Sequence, residues 1–156
     1  MSKKEISVNS RKKILELESA MINIADGVNV EGNGKSIVRD GKISPIKHAF
    51  ADGVYIRQMD MVKDTVVVGA IHKHLHMCFL LKGHLMVANE EEIIEHIAPC
   101  FVIAKPGIKR VLYSKEDSVW YNTHKNPSNT EDVEQLEKEL VAVSYEEYEK
   151  YINKKK

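Results

Sequence analysis

The most informative segment of the sequence is Gly69-Ala-Ile-His-Lys-His-Leu-His-Met-Cys-Phe-Leu-Leu-Lys-Gly83. In a β-strand, side chains two residues apart point to the same face. A regular strand through this segment would therefore have one face made of His72, His74, His76, Cys78 and Leu80. Both faces are largely apolar after Met77, so we expect the histidine face to line a barrel interior while the other face packs against a second layer.

Short extended runs separated by turns continue on both sides of this segment, from Ile46 to His124. They cover residues 54–59, 65–68, 75–81, 85–88, 93–97, 101–104, 111–113 and 119–123. Strands at this spacing, with Gly, Pro or charged turns between them, indicate an all-β sandwich or barrel. The connections are too short for crossover helices, so the sheet should be antiparallel.

Amphipathic helices are predicted on both sides of the barrel. The first should begin at a Ser10 cap and end at Gly27, with an apolar stripe of Ile14, Leu15, Leu17, Met21 and Ile24. Downstream, Asn129 or Thr130 can cap a second helix whose apolar face carries Val133, Leu136 and Leu140. A capping box formed by Ser144 and Glu147 opens a third helix.

These segments predict one domain with three parts. An N-terminal helix and Gly-rich connection occupy residues 1–44, a barrel occupies 45–125, and C-terminal helices occupy 126–156. No helix can bury its apolar stripe alone, so we expect the helices to pack on the barrel or to mediate a homodimer. Within the connection, Gly34-Lys35-Ser36 lacks the earlier glycine, the preceding strand and the following helix of a phosphate-binding loop, and we interpret it as a surface loop.

The composition limits the classes of partner. The chain has 156 residues, 43% hydrophobic and 29% charged, as is typical of one globular domain. Its 23 basic and 23 acidic side chains cancel, so no nucleic acid or membrane partner is expected. The sequence contains no signal-peptide pattern and no apolar run of membrane-spanning length. Two cysteines, Cys78 and Cys100, do not make a disulfide framework, which favours a reducing cytoplasm.

The histidines form a candidate metal site. Imidazole is the commonest side-chain ligand of zinc, iron, copper and nickel, and His72 and His76 can reach a common ion from one strand. A third ligand must come from another strand, and His124 is the candidate. His74 shares the same face. Binding of one ion by three alternate histidines of one strand would be strained, so His74 is a less favoured ligand candidate and is expected to lie beside the site.

A predicted hairpin with a turn at Lys115-Glu116-Asp117 places His124. If Ser114 lies opposite Ser118, the facing pairs are Leu112 with Trp120, Arg110 with Asn122, and Ile108 with His124. This register predicts an apolar end of the pocket around Trp120. It also predicts a polar end that contains Arg110, Asn122 and His124.

Two segments of this pattern resemble the conserved motifs of the cupin superfamily. They are the stretch from His72 to Gly83 and the stretch Ala104-Lys-Pro-Gly-Ile-Lys-Arg110. Aligned on Gly83, the family's glutamate position carries His76, its second histidine position carries His72, and its first histidine position carries Ala70. Aligned on Gly107, the histidine position of the second motif carries Arg110. Because two of the four usual ligand positions carry histidine, the resemblance does not imply the standard four-ligand site.

A longer pattern is similar to small cupin-like proteins encoded by tailed bacteriophages and prophages. It covers residues 45–148 and includes Pro45-Ile-Lys-His-Ala-Phe-Ala-Asp-Gly-Val-Tyr55, Lys105-Pro-Gly-Ile-Lys-Arg-Val111 and Glu116-Asp-Ser-Val-Trp-Tyr-Asn-Thr-His124. The resemblance implies a mainly β, cupin-like antiparallel barrel (jelly roll) with helices at both ends, in the cytoplasm of a bacterial host. The resemblance to the phage and prophage proteins implies no particular activity.

Three functional interpretations follow. The first is a metal-binding cupin that holds Fe, Zn, Mn or Ni on His72, His76 and His124, with the dioxygenase- or isomerase-like chemistry that the family implies. The second is a metal-free binder of an anionic metabolite or signalling nucleotide, with Arg110 as the anchor and a pocket wall that includes Cys78, Trp120 and Asn122. The third is a structural or interaction protein, which would need no ordered pocket.

Overall fold

The computed structural model describes residues 3–23, 36–39 and 42–155. The helices are α1 Lys3–Asn23, α2 Val133–Leu140 and α3 Tyr145–Asn153. The strands are β1 Ser36–Arg39, β2 Lys42–Ala51, β3 Val54–Met61, β4 Val66–Val68, β5 Ile71–His72, β6 His76–Lys82, β7 His84–Ala88, β8 Ile93–Ile97, β9 Cys100–Ala104, β10 Val111–Ser114, β11 Ser118–Lys125 and β12 Val141–Ala142. The mainly β prediction with helices at both ends is confirmed.

Two antiparallel sheets enclose the core. One has the strand order β1-β2-β3-β11-β6-β9 and the other has the order β4-β10-β7-β8. Within them, the four strands β3-β11-β6-β9 and the four strands β4-β10-β7-β8 have the arrangement of a jelly roll, which is two Greek keys wrapped into a barrel. The predicted antiparallel barrel is therefore confirmed from the pairing of its own strands.

The core is formed by the inward faces of both sheets. Strand β11 alternates between buried and partly exposed residues along its whole length, as a strand with one covered face should. One large apolar cluster joins Met59, Leu80 and Trp120 from the first sheet to Val67, Leu85 and Leu112 from the second. This cluster closes one end of the interior and leaves the other end to polar side chains.

The predicted continuous strand through the histidines is wrong at residues 73–75. Strand β5 ends at His72 and pairs with β12 in a separate two-stranded sheet, and β6 begins at His76. The backbone between them takes other partners, since Lys73 N–H donates to the carbonyl of Leu140 at 2.8 Å. From His76 onward the alternation is as predicted, with His76, Cys78 and Leu80 on the buried face.

The predicted β10–β11 hairpin is also wrong. Strand β10 pairs with β4 and β7, and β11 pairs with β3 and β6, so the chain crosses between the sheets at residues 115–117. The hydroxyls of Ser114 and Ser118 are 3.1 Å apart at this crossing. The inward residues of β10 and β11 face one another across the interior. The polar end of the pocket, which was predicted from the wrong hairpin, is therefore still present.

The helices pack on the barrel in the described part of the chain. Helix α1 begins at Lys3, so Ser10 lies inside it and the predicted cap is wrong; the segment around Gly27 lies outside the described residues. Its Ile14 and Met21 pack on the outer face of the four-stranded sheet, against Val66, Val68 and Val111. Helix α2 packs Leu136 and Leu140 on Tyr55. These contacts bury part of the stripes on which the homodimer prediction relied, whereas Leu15 and Leu17 of α1 stay exposed. The homodimer stays a prediction.

The caps of the C-terminal helices differ in outcome. Helix α2 is capped by Asp132, whose carboxylate accepts from the N–H groups of Glu134 and Gln135, so the predicted cap at Asn129 or Thr130 is wrong. Helix α3 is capped by Ser144 as predicted, with Glu147 N–H donating to its hydroxyl at 3.1 Å.

The N-terminal connection contains a hairpin that the sequence did not indicate. Strands β1 and β2 pair antiparallel, with Ser36 opposite Pro45. Gly34 and Lys35 lie outside the described residues, and Ser36 begins a strand where a phosphate-binding loop would need a helix. No described helix is long and apolar enough to cross a membrane.

Candidate metal centre

The barrel interior is built in three layers that follow from strand register. In the lowest layer Trp120 lies between Met59 and Leu80. Two residues further along each strand, Asn122 lies between Arg57 and Cys78. In the uppermost layer His124 lies beside Tyr55 and its ring faces those of His72 and His76. Polarity therefore rises from the closed end of the barrel to the open end.

The three predicted ligand histidines meet in the uppermost layer. Their ring centroids are 4.3 Å apart for His72 and His76, 4.9 Å for His72 and His124, and 4.5 Å for His76 and His124. One nitrogen of each ring lies within 4.8 Å of one nitrogen of each of the others. His76 and His124 are only 5% and 3% exposed. Imidazoles from two distant stretches of chain thus converge in one buried position.

All three rings are held in the neutral form. Burial, followed by the charge of Arg110, lowers the pKa of His76 to about 4. Burial and the neighbouring His76 lower the pKa of His124 to about 2. The pKa of His72 is also well below its ordinary value, for the same two reasons of burial and neighbouring histidines. Neutral imidazole is the form that binds a metal ion.

His74 lies beside the cluster and is not part of the three-histidine group. Its Nε2 is 3.3 Å from Nδ1 of His124, and its backbone carbonyl is 3.4 Å from Nδ1 of His76. It is partly exposed, because it belongs to the bent segment between β5 and β6. Groups in such positions orient the rings of metal ligands.

Arg110 reaches the same place from the other sheet. Its Nη2 lies 3.4 Å from Nε2 of His76, and its two terminal nitrogens lie 3.6 and 3.7 Å from Sγ of Cys78. A guanidinium can only donate, so Nε2 of His76 is the acceptor and the ring proton sits on Nδ1, toward the carbonyl of His74. The lone pair that faces Arg110 is one that a metal ion would also use.

The middle layer is a small hydrogen-bonded network around Asn122. Its Oδ1 accepts from the thiol of Cys78 at 3.2 Å and from the indole N–H of Trp120, also at 3.2 Å. Burial raises the pKa of the Cys78 thiol, so this thiol remains protonated and is a poor metal ligand. Trp120 is 1% exposed and belongs to the core as well as to the pocket wall.

The donor set fits a divalent transition metal. Metal–imidazole bonds of about 2.0–2.1 Å require ligand nitrogens roughly 3.3 Å apart in a tetrahedral site. The candidate ligand nitrogens lie within 4.8 Å of one another, so the rings would have to move closer together to bind one ion. Three neutral imidazoles leave further coordination positions open, which is the pattern of catalytic metal sites rather than structural ones.

A cavity of about 570 Å³ opens beside the histidines. Both sheets and helix α2 contribute to its wall, through residues that include Arg57, His72, Arg110, Trp120, Asn122 and Glu137. Of the candidate site residues of the sequence, His72, Arg110, Asn122 and Trp120 line this cavity. His76, His124 and Cys78 do not line it but contact Arg110, His72 and Asn122, respectively. The volume of the cavity is that of a small-molecule site.

Sequence reasoning missed Arg57 and Glu137. Arg57 alternates with Tyr55 and Met59, both of which are buried, so a strand reading of residues 54–59 already places a charged residue on the inward face. That inward placement is the sequence signal from which Arg57 could have been identified. Glu137 is a polar position of α2, and nothing in its own surroundings in the sequence distinguishes it from the solvated glutamates nearby.

The sequence matches no protein-family model and no curated protein. Solved structures resemble it at low identity. A cupin-2 domain-containing protein from Shewanella frigidimarina has 12% identity and a TM-score of 0.45, over 52% of this chain and 79% of that one. A cupin 2 conserved barrel domain protein from Salinispora arenicola has 9% identity and a TM-score of 0.47, over 60% and 84%. KdgF from a Halomonas species has 15% identity and a TM-score of 0.45, over 51% and 76%.

Because these TM-scores are below 0.5, the fold assignment depends on the strand order of the chain itself. That order gives eight strands in two antiparallel sheets that close on one another. It is the double-stranded β-helix, or jelly roll, in which cupins are built. The chain therefore has a jelly-roll fold of the kind that cupins share.

Proposed function

We propose that this protein binds a divalent transition metal through His72, His76 and His124 and presents it to a small molecule in the adjacent cavity. The observation that carries the proposal is the convergence of three buried, neutral imidazoles within 4.8 Å. Iron, zinc, manganese and nickel all accept imidazole ligands, with imidazole best suited to the first two and to nickel.

Such an ion would supply Lewis-acid or redox chemistry at its open positions, as in metal-dependent cupin enzymes of the dioxygenase or isomerase type. The chain's own residues would hold and orient it. His74 fixes neighbouring rings through its contacts with His76 and His124. The apolar cluster around Trp120 forms the far end of the interior and gives the cavity an apolar wall.

The test is metal titration of chelator-treated protein. Zn²⁺ and Co²⁺ are expected to bind at one ion per chain, and Co²⁺ should give the visible absorption of a low-coordinate site with nitrogen ligands. His72→Ala/His76→Ala and His124→Ala should each lose this binding. His96→Ala is the matched control, since His96 lies outside the three-histidine group, on β8. Wild-type protein that takes up no stoichiometric metal, or a His124→Ala variant that binds like wild type, would end the proposal.

A second candidate function is favoured by one observation, the approach of Arg110 to Nε2 of His76. If that contact persists in solution, the guanidinium occupies the lone pair that an ion needs, and the pocket would bind an anionic metabolite without metal. A phage-encoded protein of this kind would sequester a host metabolite or signalling nucleotide. Thermal stabilisation of chelator-treated protein by nucleotides, together with failure of the metal titration, would favour this function over the first.

A further inference from the structure

Two guanidinium groups face the open end of the barrel beside the histidines. Arg57 comes from β3 and Arg110 from the loop before β10, and both line the cavity. Both also act electrostatically on His72 and His124, which places them around the same cluster. Neither forms an ion pair with a carboxylate among the described residues.

Arg57 is the less satisfied of the two. Its register partner on β11 is Asn122, so its side chain leaves the strand toward the interior. Its Nε is buried and has no hydrogen-bond partner. A buried charged donor without an acceptor opposes folding, so a residue in this state indicates a missing acceptor.

Arg110 has only weak partners. Its guanidinium contacts one imidazole nitrogen and one protonated thiol, both neutral, at 3.4–3.7 Å. By contrast, Lys109 in the same cavity wall is paired with Glu18 at 2.7 Å. Because this lysine is paired with a carboxylate and the two arginines are not, uncompensated positive charge is concentrated at the histidine end of the cavity.

One acidic side chain opposes this charge from α2. Glu137 lines the cavity together with Arg57, and the charge of Arg57 acts on it without an ion-pair contact. Burial raises the pKa of Glu137, so its carboxylate is itself only partly stabilised there. Glu137 is therefore a nearby negative charge that forms no ion pair with Arg57 among the described residues.

We propose that Arg57 and Arg110 form an oxyanion site that binds the carboxylate or phosphate group of a small metabolite. The proposal deepens the proposed function, because it assigns a ligand class to the same pocket, but it needs no metal to be tested. Two planar guanidinium forks suit the paired oxygens of such groups. A cation at the histidines would add to the positive charge and strengthen the need for an anion between them.

Isothermal titration with malonate, inorganic phosphate and malonamide tests the proposal on chelator-treated and on Zn²⁺-loaded full-length protein. Malonate and phosphate distinguish a carboxylate from a phosphate preference, and malonamide is the uncharged match of malonate. We expect at least one of the two anions to bind at one per chain and malonamide not to bind.

Four variants locate the site, and a fifth is the control. Arg57→Gln and Arg110→Gln should each weaken anion binding by at least about tenfold, the effect of one lost charge-assisted hydrogen bond. Arg57→Lys should be intermediate, because it keeps the charge and loses the fork. Glu137→Gln should bind the anion more tightly than wild type, a gain that a misfolded protein could not show. Lys82→Gln, which removes a positive charge from the exposed end of β6, should bind like wild type.

The two proposals fail in different ways. If the protein binds an anion but no stoichiometric metal, the metal proposal alone fails. Metal binding with no binding of either anion, or with malonate and malonamide bound equally, would overturn the oxyanion site alone. Wild-type affinity in Arg57→Gln, or weaker binding in Glu137→Gln, would also overturn it.

Discussion

The closed and the open ends of the barrel interior are made by the same strands and differ in almost every physical property. On β6 they are four residues apart, with Leu80 at the closed end and His76 at the open end. On β11 Trp120 and His124 are related in the same way. The closed end is a continuous apolar cluster, whereas the open end holds histidines and two arginines, and the cavity extends from the arginines to Met59, Leu112 and Trp120 of the apolar cluster.

This difference indicates that stability and binding are separated along the strand axis. Apolar burial at the closed end contributes favourable folding free energy in proportion to its area. Buried imidazoles and an unpartnered guanidinium at the open end oppose folding unless a ligand compensates them. Substitutions at the two ends should therefore affect different measurements.

The largest expected effect is on stability at the closed end. Trp120→Ala removes the largest fully buried side chain and should lower the free energy of unfolding by about 3–5 kcal/mol. Guanidinium-induced unfolding of chelator-treated protein measures it. Phe101→Ser, on the exposed face of the same sheet, is the control and should change stability by less than about 0.5 kcal/mol. A Trp120→Ala loss below about 1 kcal/mol would contradict the closed-end assignment.

The next effect is the stabilisation that a metal should give through the open end. At a free Zn²⁺ concentration of 100 times the dissociation constant, the free energy of unfolding should rise by about 2.7 kcal/mol. The increment should vanish in His124→Ala and persist in Leu80→Ala, although the latter variant starts from lower stability. If Leu80→Ala lost the increment as fully as His124→Ala, the two ends would not be separable.

The pH dependence of metal-free protein should reveal the buried imidazoles. In the folded state the pKa values of these rings are lowered, to about 4 for His76. In the unfolded state histidine has its ordinary pKa near 6.5, so the unfolded state binds protons first as the pH falls below 6.5. The histidines therefore cost little stability well above pH 6.5, and stability falls as the pH drops from about 6.5 to about 4 for His76 and to about 2 for His124. The expected loss from pH 6.5 to 5.5 is about 1 kcal/mol per histidine.

Denaturation of chelator-treated protein at pH 7.5, 6.5 and 5.5 measures this loss. His76→Asn should show a shallower pH dependence than wild type, because it removes one group with a depressed pKa. An unchanged slope in this variant would show that other groups cause the acid destabilisation.

The comparison of the two ends also explains what the sequence could reveal. Alternation along a strand is a local property, so the burial of His76, Cys78 and Leu80 and the inward direction of Trp120, Asn122 and His124 were predictable. Strand partners are not local. The Ser114–Ser118 turn predicts a hairpin, yet Leu112 finds partners in Val67 and Val87 of the other sheet, and only the closure of the barrel selects them.

The site was predictable to the extent that inward direction sufficed. His72 was placed correctly on a wrong premise, since the strand breaks at residues 73–75 and β5 is held by β12 from the C-terminal part of the chain. The alternation that places Trp120 on the inward face also places Arg57 there, so Arg57 was predictable. Glu137 was not predictable, because α2 brings it to the cavity through the burial of Leu136 and Leu140 against Tyr55, a contact between distant parts of the chain.

The smallest expected effect tests whether the open end gives up stability for binding. Arg57→Met keeps the side-chain stem and removes a buried donor without a partner, and Glu137→Gln in the same protein prevents an isolated carboxylate. Replacing imperfectly paired buried charges with groups of similar shape is often neutral or stabilising. The double variant should therefore be as stable as wild type or more stable by up to about 1 kcal/mol without ligand, and should lose anion binding. Lower stability by more than about 1 kcal/mol would mean that Arg57 is a structural residue whose interactions hold the barrel together.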